Sequence, residues 1–239
     1  MNINAFYCFA HRGAAGYEPE NTLRSFQKAI DLKSPWLELD VHLNGDELIV
    51  FHDETLERIT QTLGRIDSMP IENLQLLDAG KGEKIPTLRE VLNLANRRIN
   101  FNIELKGKNT AKKTVEIIHE YIQKGWDLNQ FIICSFNAEE LAKVHTYDSQ
   151  INIGYLVDVL CEESIKEARE MNCFSIHPWY ETVNTDTLAL AHQHSLKVFP
   201  FTVNWPENIE AMLQLHVDGI ISDFPDRVMS LINMIKISN

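Results

Sequence analysis

The chain alternates between short apolar runs and longer segments in which apolar residues recur every three or four positions. The short runs are typical of buried β-strands, and the longer segments are typical of amphipathic helices that cover a sheet. Strands are predicted at residues 6–10, 36–41, 48–51, 101–105, 131–134, 151–155, 173–176, 197–201 and 219–221. A first helix would be capped by Asn21 or Thr22. Further helices are predicted at residues 88–95, 114–122, 139–145, 162–171, 187–194, 207–215 and 227–237.

The order of these elements predicts an α/β fold with a parallel sheet. If residues 48–51 form a hairpin with the strand before them, eight strand–helix units remain. Eight units in a chain of 239 residues favour a (β/α)8 TIM barrel over a doubly wound open sheet. We therefore expect one catalytic barrel domain that spans residues 1–239.

One predicted connection is much longer than the others in this alternation of strands and helices. Residues 54–86 separate the hairpin from the helix predicted at 88–95, and they contain the turn-forming Gly64, Gly80 and Gly82. A connection of this length in a compact domain usually carries function or a small subdomain. We expect a small insertion after the second βα unit that lies over the barrel mouth.

Charge and composition narrow the partners that the barrel can have. The chain carries 22 basic and 34 acidic residues, for a net charge of -12, which disfavours nonspecific binding to nucleic acid or to an anionic membrane. Its four cysteines lack a Cys-x-x-Cys spacing and are interpreted as reduced thiols. The segment Met1 to Ala10 lacks a signal-peptide pattern, and no apolar run is long enough to span a bilayer. We expect a cytoplasmic enzyme without stable membrane insertion; the sequence indicates no oligomeric state.

Two of the predicted strands carry a polar stripe. Side chains alternate across a strand, so Glu38 and Asp40 share one face of the second strand. Asn102, Glu104 and Lys106 follow one face of the strand predicted at 101–105. Both faces of a parallel strand are normally covered and apolar, so buried acids on one face need a compensating partner. A bound cation is the simplest partner.

The acids on these stripes are predicted to form one metal site. Catalytic groups of barrels lie at the carboxyl ends of the strands, and Glu38, Asp40 and Glu104 end neighbouring units. Their oxygens suit one divalent cation, Mg²⁺ or Ca²⁺. A buried ion network with Arg12 and Lys106 is the alternative, but three acids against two bases leave one negative charge uncompensated.

Two histidines and two basic residues are predicted beside this site. His11 and Arg12 follow the first strand, His52 closes the hairpin and Lys106 ends the strand at 101–105. Imidazoles, with an ordinary pKa of about 6.5, can transfer protons near neutral pH, and the two cations attract phosphate. With a metal ion, these groups predict phosphodiester cleavage. As alternatives, the histidines would only bond to backbone groups in loops, and Arg12 and Lys106 would orient the acids.

Aromatic residues follow the strands predicted at 173–176 and 197–201. The tip His177-Pro178-Trp179-Tyr180 follows the first of them, and Trp205 follows the second. We predict that this tip and Trp205 contribute to the wall of a pocket for the organic groups of the phosphodiester. Packing is the alternative role for each.

Several short motifs, in order along nearly the whole chain, resemble those of glycerophosphodiester phosphodiesterases. They are His11-Arg12-Gly13, Pro19-Glu20-Asn21-Thr22, Glu38-Leu39-Asp40-Val41, Phe51-His52-Asp53, Asn102-Ile103-Glu104-Leu105-Lys106, Phe201-Thr202-Val203-Asn204 and Ser222-Asp223-Phe224-Pro225-Asp226. Each motif alone is weakly specific, whereas the ordered set is highly specific.

The resemblance implies a barrel of the phospholipase-C-like phosphodiesterase type. It also implies hydrolysis of a small-molecule glycerophosphodiester to sn-glycerol 3-phosphate and an alcohol. The residues that it assigns are the metal ligands Glu38, Asp40 and Glu104, the catalytic histidines His11 and His52, and Arg12 and Lys106 near the phosphate.

Other functions stay open at this point. A lysophospholipase D-like or related phospholipid phosphodiesterase would need an apolar entrance, for which the insertion offers only Leu74, Leu76 and Leu77. A glycosidase uses two carboxylates but does not need the histidines. A noncatalytic barrel that binds metal or phosphate would keep the acids without His11 and His52. The head group, the metal and the attacking oxygen also stay open, although proximity favours attack by the substrate's own 2-hydroxyl over attack by water.

Overall fold

Nine strands form a single sheet in the computed structural model, which describes residues 6–238. In chain order they are β1 (Tyr7–Ala10), β2 (Trp36–Asn44), β3 (Glu47–Val50), β4 (Asn100–Leu105), β5 (Phe131–Ser135), β6 (Asn152–Val157), β7 (Ser175–Pro178), β8 (Lys197–Val198) and β9 (Gly219–Ser222). Eight of them run parallel in the spatial order β8-β7-β6-β5-β4-β2-β1-β9, and β3 pairs with β2 as an antiparallel hairpin. The predicted (β/α)8 barrel and its hairpin are therefore confirmed.

Backbone hydrogen bonds bridge the seam between β8 and β9, the two ends of this order. The N–H of Asp218 donates to the carbonyl of Val198 at 3.1 Å, and the N–H of Ile221 donates to that of Pro200 at 3.0 Å. The strand predicted at 197–201 is shorter in the structure, because Pro200 has no N–H to donate to a neighbouring strand. The barrel is nearly closed, so the carboxyl ends of its strands surround one mouth.

Helices follow the strands and cover the outside of the barrel. Their bounds are α1 (Leu23–Asp31), α2 (Glu57–Thr60), α3 (Ile71–Leu74), α4 (Leu88–Ala95), α5 (Thr110–Gln123), α6 (Ala138–Tyr147), α7 (Glu162–Glu170), α8 (Thr185–Gln193), α9 (Pro206–Leu215) and α10 (Pro225–Ser238). Apolar residues of helices and strands pack together in common clusters, as Phe26 of α1 and Leu39 of β2 do. Across the described residues, no helix has both the length and the hydrophobicity of a bilayer-spanning segment.

Threonine caps explain where two of the helices begin. Thr22 accepts a hydrogen bond from the backbone N–H of Ser25, and Thr87 accepts one from that of Glu90. In both cases the backbone N–H of the cap donates back to the side chain of the later residue, so two free N–H groups are satisfied at once. Of the two predicted caps of α1, Thr22 has this role, and the neighbouring Asn21 adopts a φ of 56°.

Residues 54–86 form a small substructure beside the hairpin. It contains α2 and α3, and its buried Leu56 and Leu74 share an apolar cluster with Ile49 of β3. Leu76, in contrast, is 80% exposed. Most buried apolar residues of this segment therefore hold it against the barrel and do not form an apolar entrance.

His177 on β7 lies inside the barrel and has no exposed surface. Its Nε2 is 2.8 Å from Ser175 Oγ, and its ring packs against Phe199 with 5.2 Å between centroids. Gly154 on β6 leaves room for the imidazole, because a Cβ there would come within 2.5 Å of Nε2. Burial lowers the pKa of His177 to about 3, so the ring is neutral in the folded protein.

His177 is expected to make the protein less stable as the pH falls. The unfolded chain takes up its proton near pH 6.5 and the folded chain only near pH 3, so protonation favours unfolding throughout this window, at about 1.4 kcal/mol per pH unit. His177→Gln should therefore show a shallower loss of unfolding free energy between pH 6.5 and 3 in chemical denaturation. His194→Gln, at an exposed histidine, is the control. Equal slopes for wild type and His177→Gln would contradict the prediction.

Candidate active site

A cavity of about 210 Å³ opens at the carboxyl ends of the strands. One side is polar and the other is apolar, as expected for a pocket that binds a small polar ligand with a carbon skeleton. The polar residues that line it include His11, Arg12, Glu38, His52, Glu104 and Lys106, and the apolar residues include Phe136, Leu156, Trp179 and Phe201.

Three carboxylates converge at the polar side. Glu38 and Asp40 come from β2 and Glu104 comes from β4, where the parallel register places Asp40 beside Glu104. One oxygen from each residue lies within 4.8 Å of the others, and all three side chains are buried. The strand alternation that put these acids on a common face in the sequence also brings them to a common point.

Burial and mutual proximity shift the pKa values of these acids. Burial and the charges of Asp40 and Glu104 raise the pKa of Glu38, and burial with the charge of Asp40 raises that of Glu104 to about 8. Burial would also raise the pKa of Asp40, but the positive charges of Arg12, His52 and Lys106 outweigh it and lower this pKa. The protein alone therefore does not fully neutralise the three acids.

These residues fit a divalent cation. Asp40 Oδ1 is buried and has no hydrogen-bond partner in the protein, and such an oxygen is costly unless something positive contacts it. The other carboxylate oxygen of Asp40 accepts a bond from Asn21 Nδ2 at 2.8 Å, which orients the group. A set of three carboxylates suits Mg²⁺ or Ca²⁺ and contains no soft ligand.

His11 is held by a carboxylate that follows the last strand. Its Nδ1 lies 2.6 Å from Asp223 Oδ1, and the other oxygen of Asp223 accepts a bond from Asn204 Nδ2 at 2.6 Å. The Nε2 atom of His11 is 4.0 Å from Glu38 Oε2. An imidazole whose Nδ1–H donates to a carboxylate presents Nε2 for proton transfer, here beside the acidic cluster.

His52 has the same arrangement with a different carboxylate. Its Nδ1 is 2.5 Å from Asp53 Oδ1, and its Nε2 is 3.2 Å from Lys106 Nζ. Burial lowers the pKa of His52 despite the opposing charge of Asp40. Lys106 also pairs with Glu104 at 3.0 Å, so this lysine links the acids to the second histidine.

Arg12 contacts the acids directly. Its backbone N–H donates to Glu38 Oε2 at 2.8 Å, and its Nε lies 3.4 Å from Asp40 Oδ2. Its Nη1 donates to Glu20 at 2.8 Å. These contacts are those of a residue that orients the acids; contact with a phosphate stays a prediction for Arg12, as it does for Lys106.

The structure does not bring every predicted residue to the cavity. His177 is inside the barrel below it, because the β7 side chain at this position fills the space beside Gly154. Trp205 is 62% exposed and caps α9, outside the residues that line the cavity. Of the predicted tip, Trp179 lines the cavity, and Phe136 contributes a second aromatic side chain to its wall.

Sequence reasoning also missed residues that the site uses. Phe136 was not identified, although it directly follows β5 at the carboxyl end. Asp223 lies in one of the sequence motifs, which by itself indicates no role for it. Its position after β9 was the available signal, since β9 pairs with β1 and so lies beside His11.

Comparisons with known proteins agree with this geometry. A family model described as the Glycerophosphoryl diester phosphodiesterase family matches residues 11–227. A glycerophosphodiester phosphodiesterase of Caldanaerobacter subterraneus is 34% identical over 237 residues, covering 93% of this chain and 96% of that protein. Another, from Bacillus subtilis, is 31% identical over 243 residues, covering 91% and 83%.

A solved structure extends the similarity to the whole fold. A phosphodiesterase from Oleispira antarctica, in complex with the product sn-glycerol-3-phosphate, matches with a TM-score of 0.87 and 28% identity. The match covers 95% of this chain and 96% of that one.

Proposed function

The chain belongs to the glycerophosphoryl diester phosphodiesterase family and is a glycerophosphodiester phosphodiesterase, and we propose that it releases sn-glycerol 3-phosphate and an alcohol at a divalent-cation site. In this proposal His11 and His52 transfer the protons. One observation carries it: two histidines, each with Nδ1 on its own carboxylate, line the same cavity as Glu38 and Glu104 of the acidic cluster. The related phosphodiesterase from Oleispira antarctica was solved with this product.

The acids and cations of the cavity have complementary roles in this reaction. Glu38, Asp40 and Glu104 would hold the cation, which supplies positive charge for the phosphate oxygens when bound. Arg12 and Lys106 add fixed positive charge beside it, where charge on the phosphate develops in the transition state. Their bonds to the acids keep both side chains in place before substrate arrives.

The two histidines divide the proton transfers. One Nε2 accepts the proton of the attacking oxygen, and the other donates a proton to the oxygen of the departing alcohol. Asp223 and Asp53 keep Nδ1 occupied, so that only Nε2 takes part. We propose that the attacking oxygen is the substrate's own 2-hydroxyl, because an internal nucleophile has a large proximity advantage. Its attack breaks the bond between phosphorus and the alcohol oxygen and forms a cyclic glycerophosphate, which water then opens to sn-glycerol 3-phosphate.

An apolar arc at the mouth favours a second candidate substrate class. Four consecutive strands of the barrel, β5 to β8, are each followed by an exposed apolar side chain. These are Phe136 (42% exposed), Val159 (54%), Trp179 (41%) and Trp205 (62%). An arc of this kind suits the apolar part of a lysophospholipid, so the second candidate is a lysophospholipase D-like activity. The arc begins on β5, beside the acid-bearing β4, and continues away from β4 around the mouth to β8.

One assay separates the proposed function from the second candidate. We expect sn-glycerol 3-phosphate release from glycerophosphocholine and glycerophosphoethanolamine with Mg²⁺ or Ca²⁺, and no release after complete chelation. Choline release from lysophosphatidylcholine, measured in parallel, tests the lysophospholipase D-like activity. Faster turnover of lysophosphatidylcholine would favour the second candidate, and full activity under chelation would contradict the cation site.

The remaining assignments are proposals of the same kind. We propose that residues 1–239 act as one catalytic domain in the cytoplasm, with residues 54–86 as an insertion over the barrel mouth and no nucleic-acid partner. The net charge of -12 supports the proposal that nucleic acid is not a partner. Arg58, within residues 54–86, bonds to the loops that follow β1 and β3. These bonds support the proposed position of the insertion at the mouth.

A further inference from the structure

Arg58, on α2 within residues 54–86, contacts two carboxylates at once. Its Nη1 and Nη2 donate to Glu20 at 2.9 and 2.8 Å, and its Nε and Nη2 donate to Asp53 at 2.5 and 3.1 Å. Glu20 lies in the loop after β1 and Asp53 in the turn after β3. The guanidinium therefore joins the loop after β1 to the turn after β3.

Each of these carboxylates supports one residue of the proposed active site. Glu20 Oε1 accepts a hydrogen bond from Arg12 Nη1 at 2.8 Å. Asp53 Oδ1 lies 2.5 Å from the Nδ1 atom of His52. Neither Glu20 nor Asp53 lines the cavity, so each acts on the cavity through its neighbour.

We propose that Arg58 is a positioning residue for the proposed reaction, which holds Arg12 through one carboxylate and His52 through the other. The inference rests on the proposed function. It gives residues 54–86 a definite role, because Arg58 of this segment would fix Arg12 and His52 relative to each other. Such relative placement matters because a displacement of about 1 Å can cost about 100-fold in rate.

The charges explain why an arginine is needed here. Burial would raise the pKa of Glu20, but Arg58 and Arg12 outweigh it and lower this pKa to about 2. The pKa of Asp53 is likewise lowered to about 2, since Arg58 and His52 outweigh its burial. Both acids stay ionised, and only a planar guanidinium can donate to two of them in fixed directions.

Without Arg58, each carboxylate would keep a single partner in the site. Glu20 would act with its full charge on Arg12 and draw this side chain away from Asp40, 3.4 Å from its Nε. Asp53 would lose the bond that fixes its orientation toward His52. We therefore expect both substrate binding and turnover to suffer.

The test compares variants of the full chain with glycerophosphocholine as substrate. Arg58→Met should lower kcat/KM about 10- to 100-fold, with a rise in KM and a fall in kcat. Glu20→Gln should mainly raise KM, because it removes the charged contact that holds Arg12. Asp53→Asn should mainly lower kcat, because it removes the charged contact that holds His52. Arg58→Lys should restore part of the loss, since an ammonium can pair with one carboxylate at a time. Arg58→Met added to the Glu20→Gln, Asp53→Asn double variant should change little.

Arg65 offers a matched control in the same segment. It also pairs with two carboxylates, Glu54 and Asp67, both at 3.1 Å, and its side chain is 51% exposed against 47% for Arg58. Its partners do not bond to Arg12 or to either catalytic histidine. Arg65→Met should therefore keep kcat and KM within about twofold of wild type.

Two results would overturn the proposal. One is equal kinetic constants for Arg58→Met and Arg65→Met. The other is a loss in Arg58→Met that Arg58→Lys does not reduce, with both variants folded by circular dichroism. If the wild type released no sn-glycerol 3-phosphate, the proposed function would fail, while the role of Arg58 would still be tested by calorimetry with inorganic phosphate, whose binding Arg58→Met should weaken.

Discussion

His52→Gln is expected to lower kcat for sn-glycerol 3-phosphate release by about 10²- to 10⁴-fold, the usual contribution of a general acid or base. Glutamine can still reach Asp53 and Lys106, but it has no nitrogen that exchanges a proton near neutral pH. KM should change little, because the cation site and Arg12 are intact. Steady-state kinetics on glycerophosphocholine measure both constants.

The same experiment decides whether the histidines are catalytic at all. His11→Gln should lower kcat by a factor in the same range, since Asp223 contacts His11 Nδ1 as Asp53 contacts His52 Nδ1. His119→Gln is the control, because this histidine is 46% exposed and pairs with Asp148 on the outside of the barrel. Normal turnover in both catalytic variants would instead support a noncatalytic barrel that binds metal or phosphate.

Glu38→Gln is expected to weaken divalent-cation binding by at least about 100-fold, and activity with it. In the absence of a cation, the same variant should be more stable than wild type near pH 7. The sign follows from the raised pKa of Glu38: the folded state holds its proton more tightly than the unfolded state, so ionisation above the ordinary pKa of 4.5 costs stability. Removing the charge removes this cost.

Calorimetry and thermal unfolding with and without Mg²⁺ or Ca²⁺ test both parts. The cation should raise the Tm of wild type and not that of Glu38→Gln. Glu140→Gln is a matched control, because this glutamate is also buried but its pKa is lowered by bonds from the N–H groups of Ala111 and Asn109 and by Lys143, which outweigh burial. It should lose stability and keep cation binding. An equal rise of Tm for wild type and Glu38→Gln would contradict the three-carboxylate site.

The features that the sequence predicted well depend on local repetition. α4 has the predicted bounds, since an apolar face and the threonine cap lie within one short stretch. The acids of β2 and β4 could be placed on one face because side-chain direction alternates strictly along a strand. The convergence of Glu38 with Glu104 then needed only the rule that neighbouring units of a barrel are neighbours in space.

The features that the sequence did not predict depend on contacts between distant segments. His11 and Asp223 are 212 positions apart, and nothing local marks them as partners. His177 was expected at the pocket wall, yet the room beside Gly154 takes it into the barrel. Nothing in the sequence around Arg58 indicates that it contacts Glu20 and Asp53, which lie in different loops.

By itself, the sequence determined the barrel, the polar stripes and the residue types of the site, because hydrophobic periodicity and strand alternation act over a few residues. Only the tertiary structure decided which carboxylate contacts which histidine, which aromatic residues line the cavity and which carboxylates Arg58 contacts. These choices depend on the space left by neighbouring strands and on charges brought together across the mouth, and both arise only when the barrel closes.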